Sequence, residues 1–155
     1  MCIRDRNQYI LDAAKEVPVI IVNGYLKGEN VYCSLCDDEQ AIYRLTSRIL
    51  ADGRRAPIYL YRSLSYSGRQ KLAGFKRACQ EYDLAPDAGK AFCLSGDILS
   101  ARDRLLADRQ FLNYDAFITS DDDMAVSVLK FAQASGRKVP DDMCITCLLY
   151  TSRCV

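Results

Sequence analysis

The sequence predicts an α/β domain whose parallel sheet carries helices on both faces, a three-layer arrangement. Three observations point there. Short apolar runs alternate with amphipathic segments, and the pair recurs four times with short loops. The runs are apolar throughout, as strands covered on both faces are. Acidic residues open several amphipathic segments and glycines close them, where helix ends favour both.

Val17–Val22 is a continuous apolar run ending at Asn23-Gly24, which reads as a buried strand and a turn. Tyr9–Lys15 is the end of a helix feeding it. Gly24–Asn30 is a loop, and Val31–Cys33 is short and extended. Asp37-Asp38-Glu39-Gln40 opens a helix with Ala41, Leu45, Ile49 and Leu50 on one face, closed by Gly53. Pro57–Tyr61 is the next strand, Arg62–Gly68 a loop, and Gln70–Tyr82 a helix with Leu72, Phe75 and Cys79 together. Ala91–Leu94 is a strand. Ser95-Gly96-Asp97 leads into helix Ile98–Ala107, with Asp97 as its cap. Tyr114–Thr119 is a strand, and Asp121-Asp122-Asp123 opens a helix running to Ser135, with Gly136 behind it. After a turn at Val139–Asp142, Met143–Ile145 begins a further strand.

Composition bounds the function. Half of the 155 residues are hydrophobic, 26% are charged, and the net charge is +1. A general nucleic-acid binder would carry a strong Lys/Arg excess. The longest apolar stretch is far too short to cross a bilayer, so no membrane partner is expected, and MCIRDRNQY lacks the apolar segment of a signal peptide. Histidine is absent, which excludes Ser-His-Asp and Cys-His catalysis from this chain. Neither a P-loop nor a dinucleotide glycine motif accompanies the strands, so no enzyme and no cofactor are expected.

Open parallel sheets bind ligands beyond the carboxyl ends of their strands. The residues to ask about are therefore Asn23, Arg62–Arg69, Ser95–Asp97 and Ser120–Asp123. Periodicity goes no further than this and names no ligand.

Four stretches carry a resemblance. They are VPVIIVNG, CDDEQAIYRLTSRILADGRRAPIYLY, SYSGRQKLAGFKRAC and YDAFITSDDDMAVSVLKFAQASGRKVPDDMCI. Together they resemble the lactose/galactose-repressor family of bacterial regulators over roughly residues 10 to 145. The resemblance implies a periplasmic-binding-protein type I-like fold, here incomplete, in which two lobes hold a sugar or purine. Residues 9–32 would be the last part of the first lobe and residues 33–145 the second lobe. The ends do not look like family sequence: residues 1–8 are expected to be a foreign or disordered tail and residues 146–155 a foreign tail. The family's helix-turn-helix head and its V-G-(F/Y)-D segment have no counterpart here.

The resemblance also assigns site residues. Asn23 matches a position where the family often has a ligand-contacting Asp; alternatively it is only an Asn-Gly turn. The family's ligand-binding Arg falls at Lys71, with Arg69 nearby as a substitute, and a lysine does not reproduce the guanidinium fork. Asp121 matches an Asn at a strand end, where a carboxylate would disfavour an acidic effector. Asp122 would fix the loop and cap the helix, and all three acids could equally serve only the helix start. Tyr66, read as a loop residue facing the cleft, could stack on a sugar face. Ser95 and Ser120 are weaker candidates. Gly74, Phe75, Tyr59 and Tyr61 read as packing residues.

Eight cysteines include two CxxC pairs, Cys33–Cys36 and Cys144–Cys147. Four thiolates could hold zinc, and one pair could be a redox dithiol. Buried or incidental thiols are the default, and no metal is expected.

The expected function is effector binding in a cytoplasmic DNA-binding repressor. The effector is a small molecule of carbohydrate type, the parent protein a homodimer, and DNA is touched only through a head outside this sequence. The alternative is the sugar-binding protein of a transporter, which shares the fold.

Overall fold

The structure, a computed structural model, describes residues 3–84 and 88–148, with side chains from residue 7. The chain divides into two compact units, one running to Asp37 and the other from Asp38.

The first unit holds α1 (Ile3–Ala13), β1 (Val19–Val22) and β2 (Val31–Ser34). The strands pair in parallel, Val19 with Val31 through Val22 with Ser34. The strand begins at Val19 rather than Val17, because Val17 N–H bonds back to the Ala13 carbonyl at 3.1 Å, Pro18 has no N–H, and Val19 N–H is the first to reach across, to the Asn30 carbonyl at 3.0 Å. One sheet face is half-buried, while Ile20, Val22 and Tyr32 are exposed on the other. Residues 3–8 belong to α1, while Met1 and Cys2 lie outside the described residues. β2 pairs with β1 along its whole length, and the compact unit that holds both runs to Asp37.

The second unit runs α2 (Asp38–Ala51), β3 (Pro57–Tyr61), α3 (Tyr66–Glu81), β4 (Lys90–Cys93), α4 (Ile98–Ala107), β5 (Ala116–Thr119), α5 (Asp122–Ala134) and β6 (Cys144–Cys147). A 3-10 turn at Arg109–Asn113, which sequence periodicity does not reveal, precedes β5. The four strands are parallel in the order β4-β3-β5-β6. Successive side chains of β3 alternate between two cores. Tyr59 packs with Ile42, Ile49, Phe75, Ala116 and Ile118 on the α2/α3 side. Ile58 and Leu60 pack with Ala101, Leu105, Phe117, Val128 and Phe131 on the α4/α5 side. This is the three-layer architecture expected. Each fully buried large apolar side chain contributes about 1.5–3 kcal/mol before entropy is counted.

Strand starts are pinned as well as strand faces. Asp115 accepts hydrogen bonds from the backbone N–H groups of Arg55 (2.9 Å) and Ala56 (3.0 Å), fixing the entry of β3 beside that of β5. α3 approaches α2 through Gly74, where an added Cβ would lie 2.1 Å from the Glu39 carbonyl oxygen. Thr146 and Cys147, expected in a foreign tail, complete β6 opposite Ile118 and Thr119; residues 149–155 of that tail lie outside the described residues. Among the described residues no helix is long and apolar enough to cross a membrane.

Candidate functional site

The strand order creates a reversal. From β3 the chain moves to β4 on one side and then returns to β5 on the other, so the loops after β3 and β5 leave the sheet in opposite directions. A crevice opens at such a switch point, beyond the carboxyl ends of the strands. Arg62 follows β3 and Asp121 follows β5, and the two meet there.

Arg62 joins three loops. Its Nη1 donates to the Gly96 carbonyl in the β4–α4 loop. Its Nε lies 3.4 Å from Asp121 Oδ1, and its Nη2 lies 3.6 Å from Asp123 Oδ2. Both nitrogens are shielded from solvent, and neither makes a hydrogen bond among the described residues. The carboxylates thus hold the guanidinium by charge at distances beyond the normal N–H···O range.

Asp121 is the N-cap of α5. Its Oδ1 accepts from Met124 N–H at 3.0 Å, and its Oδ2 accepts from the Ser120 hydroxyl at 2.6 Å. The cap expected at Asp122 therefore belongs to Asp121, whose extended backbone points its carboxylate at the helix's free N–H groups. Asp97 caps α4 as expected, accepting from Ser100 N–H at 2.8 Å. The Ser100 side chain first, then that N–H, and last the Arg62 charge hold its carboxyl below the usual range. Ser95 Oγ accepts from Arg104.

Lys71 is buried, and its ammonium donates to the Ser120 carbonyl at 3.0 Å. Arg69 is exposed on the first turns of α3 and donates to the Leu64 carbonyl at 2.8 Å. Tyr66 is a correction. It is the first residue of α3 rather than a loop residue, because Ser65 caps the helix one turn earlier than expected by accepting from Gly68 N–H at 3.1 Å. Its hydroxyl accepts from Gln70 at 3.2 Å. Tyr59 lies beneath the site, its hydroxyl without a hydrogen-bond partner among the described residues. Burial first, and then the charges of Asp121 and Asp38, push that hydroxyl far above its ordinary pKa. Gly74 and Phe75 are buried packing residues.

In the first unit, Asn23 ends β1 with φ of 56°, a left-handed backbone that asparagine tolerates. Its N–H donates to the Ser34 carbonyl at 2.9 Å, and its side-chain oxygen accepts from the Cys36 thiol at 3.5 Å.

The structure thus brings Lys71 and Asp121 to one crevice, with Ser120 between them, and leaves the Arg69 guanidinium on the loop before α3. Sequence reasoning gave no role of their own to Arg62, Asp123 and the Gly96 carbonyl. The one signal for Arg62 was a cation as the first residue past a strand. An open depression of about 540 Å³, lined by Arg62, Gly96, Asp97, Ile98, Leu99 and Asp123, extends the crevice toward α4. A larger hollow of about 680 Å³, lined by Leu11, Ala14, Lys15, Glu29, Asn30 and Tyr32, belongs to the first unit and lies at the entry of β2. Among the described residues no group of three or more His, Cys, Asp or Glu side chains is placed to hold a metal ion.

A parallel sheet covered on both faces, with converging polar groups past the strand ends, defines an open α/β binding domain. The sequence profile of the periplasmic binding protein-like domain matches residues 46–152, and the chain belongs to that family. It is 41% identical over 140 residues to an HTH-type transcriptional regulator of Lachnoclostridium phytofermentans, covering 90% of this chain and 42% of the relative. It is 26% identical over 135 residues to the arabinose metabolism transcriptional repressor of Geobacillus stearothermophilus, covering 83% of this chain and 37% of that one. A sugar-binding transcriptional regulator of the lactose-repressor family from Escherichia coli, solved with phosphate, superposes with a TM-score of 0.76. It is 22% identical and covers 96% of this chain and 54% of that one. The resemblance read from the sequence therefore stands, and the chain spans less than half the length of the curated relatives it matches.

Proposed function

We propose that this chain forms one wall of a small-molecule effector site in a DNA-binding transcription regulator, with a carbohydrate as effector. The observation that carries the reading is the meeting of Arg62 with Asp121 at the switch point between β3 and β5. Polar groups from three loops meet there. In this reading Lys71 supports the Ser120 loop, while Asp121, Arg69 and Tyr66 line or flank the effector. Asn23 is kept as a candidate ligand contact of the first unit by itself.

The curated relatives are regulators, which supports this reading over a transporter's binding protein. The parent acts in the cytoplasm as a homodimer, touches DNA through a segment outside this chain, and performs no catalysis. Effector binding shifts a conformational equilibrium whose other end is DNA affinity.

The test is isothermal titration of the purified chain with arabinose, ribose, galactose, glucose and a set of nucleosides. At least one sugar is expected to bind with a dissociation constant of about 1 mM or tighter. Binding by nucleosides alone would overturn the carbohydrate assignment, and silence across the whole set would overturn the effector site.

A further inference from the structure

We propose that Cys33 and Cys36 form a redox-responsive dithiol, closing a disulfide when a peroxide oxidises them and opening it again under a thiol reductant. Cys33 is the third residue of β2, half-buried on the more covered face; Cys36 stands two residues past the end of that strand and is exposed. Their thiols reach one short segment, the loop that follows β1. Cys33 Sγ donates to the Leu26 carbonyl at 3.6 Å, and Cys36 Sγ donates to Asn23 Oδ1 at 3.5 Å. Asn23 N–H donates in turn to the Ser34 carbonyl at 2.9 Å, which fixes that loop beside the link between the two cysteines.

A second pair with the same spacing shows why position decides. Cys144 and Cys147 both lie inside β6, paired to β5 from Ala116 through Thr119. Residues three apart in a strand point to opposite faces, with Cα atoms about 10 Å apart. Cys144 packs with the α2/α3 core, while the Cys147 thiol donates to Asp122 at the start of α5. A disulfide needs Cα atoms about 4.4–6.8 Å apart, so that pair cannot close without breaking the strand. The β2 ladder instead ends at Ser34, and Leu35 and Cys36 belong to neither strand nor helix. There the chain can turn back and bring one sulfur to the other.

The reaction balances with a peroxide as oxidant. The exposed Cys36 sulfur, as thiolate, attacks one peroxide oxygen; an S–O bond forms, the O–O bond breaks, and hydroxide leaves to take up the thiol's proton as water. The Cys33 sulfur then attacks the Cys36 sulfur of that sulfenic acid. The S–S bond forms as the S–O bond breaks, and hydroxide leaves with the Cys33 proton as a second water. Two electrons and two protons have passed from the thiols to the peroxide. Both S–H donors are then gone, so the Leu26 carbonyl and the Asn23 side chain lose the hydrogen bonds that held them. Oxidation therefore loosens the loop that begins at Asn23, the first unit's candidate ligand contact.

The experiment treats the purified, reduced chain with hydrogen peroxide in mild excess, blocks the remaining thiols with N-ethylmaleimide in urea, and maps tryptic peptides by mass spectrometry. Cleavage after Lys27 and Arg44 leaves both cysteines in peptide 28–44, and cleavage after Lys138 and Arg153 leaves Cys144 and Cys147 in peptide 139–153. Peptide 28–44 is expected to lose two hydrogens and carry no maleimide, and peptide 139–153 to carry two. Dithiothreitol added before blocking should restore both labels to the first peptide. In Cys33→Ser the Cys36 thiol should stop at the sulfenic acid, which dimedone traps. Amide exchange at residues 23–26 should quicken about twofold or more on oxidation, with Ala116–Thr119 unchanged. Two maleimides on peptide 28–44 after peroxide would overturn the inference. So would a bond from either cysteine to a different partner, closure of the Cys144–Cys147 pair to the same extent, oxidation that dithiothreitol does not reverse, or unchanged exchange at residues 23–26 in the oxidised chain.

Discussion

The Lys71 ammonium donates to the Ser120 backbone carbonyl at 3.0 Å from a residue only 5% exposed. That hydrogen bond ties α3 to the loop after β5, two elements on opposite sides of the switch point. Lys71→Met should therefore act first on the fold. The unpaired carbonyl should cost about 1–3 kcal/mol, read as a lower urea midpoint with unchanged slope. Full stability with lost sugar binding would instead make Lys71 a ligand contact.

Asp121 combines two roles that substitution can separate. Asp121→Ala removes the cap of α5 and should cost about 1 kcal/mol, whereas Asp121→Asn keeps a capping oxygen and should cost much less. Thermal melts of the two variants measure the difference. Asn should also weaken the hold on Arg62 by removing one of its two carboxylate neighbours.

Gly74 is where α3 touches the start of α2. A methyl group there would sit 2.1 Å from the Glu39 carbonyl oxygen, a backbone atom that cannot swing aside. Gly74→Ala should destabilise by about 1–3 kcal/mol or more, because the helices must part to admit it. Gly53, whose added Cβ would meet nothing, is the control for space, although its φ of 99° carries its own penalty.

The thiols should react in two classes. Burial pushes Cys79 up to about 11, and burial with the neighbouring Asp122 does the same for Cys147. Cys36 and Cys93 are exposed. With Cys2 and Cys154 replaced by Ser, Ellman's reagent at pH 8 should label Cys36 and Cys93 first. Cys79 and Cys147 should speed up only as the pH climbs toward 11. The same shifts predict falling stability in that window. The folded values lie above the ordinary thiol value of 9.0, so the unfolded chain loses these protons first and is favoured as pH rises. Urea midpoints at pH 8 and pH 10 test this.

In the first unit Ile20 is 71% and Val22 70% exposed on one face of a two-stranded parallel sheet. Exposed apolar faces of this kind promote association. Ile20→Lys should reduce concentration-dependent self-association in sedimentation velocity. The melting temperature should change little, since the side chain packs on little within its own unit.

The sequence by itself determined the element types and their order. Apolar β-branched runs, acidic helix starts and closing glycines are local signals, and they mark the four strands of the main sheet and its helices to within a turn. Pro57–Tyr61 and Ile98–Ala107 match residue for residue. Local chemistry also placed the Asp97 cap. The start of α3 was misplaced because Ser65 is one of several polar residues that could cap, and only hydrogen-bond geometry shows which one does. What the tertiary structure alone decided is the site. Arg62 and Asp121 are distant in sequence and meet because β5 pairs with β3 on the side away from β4. Lys71 turns inward because the helix packing that buries Phe75 also carries its ammonium to the end of β5. Strand order and side-chain direction are set by long-range packing, and no local pattern of residues encodes either.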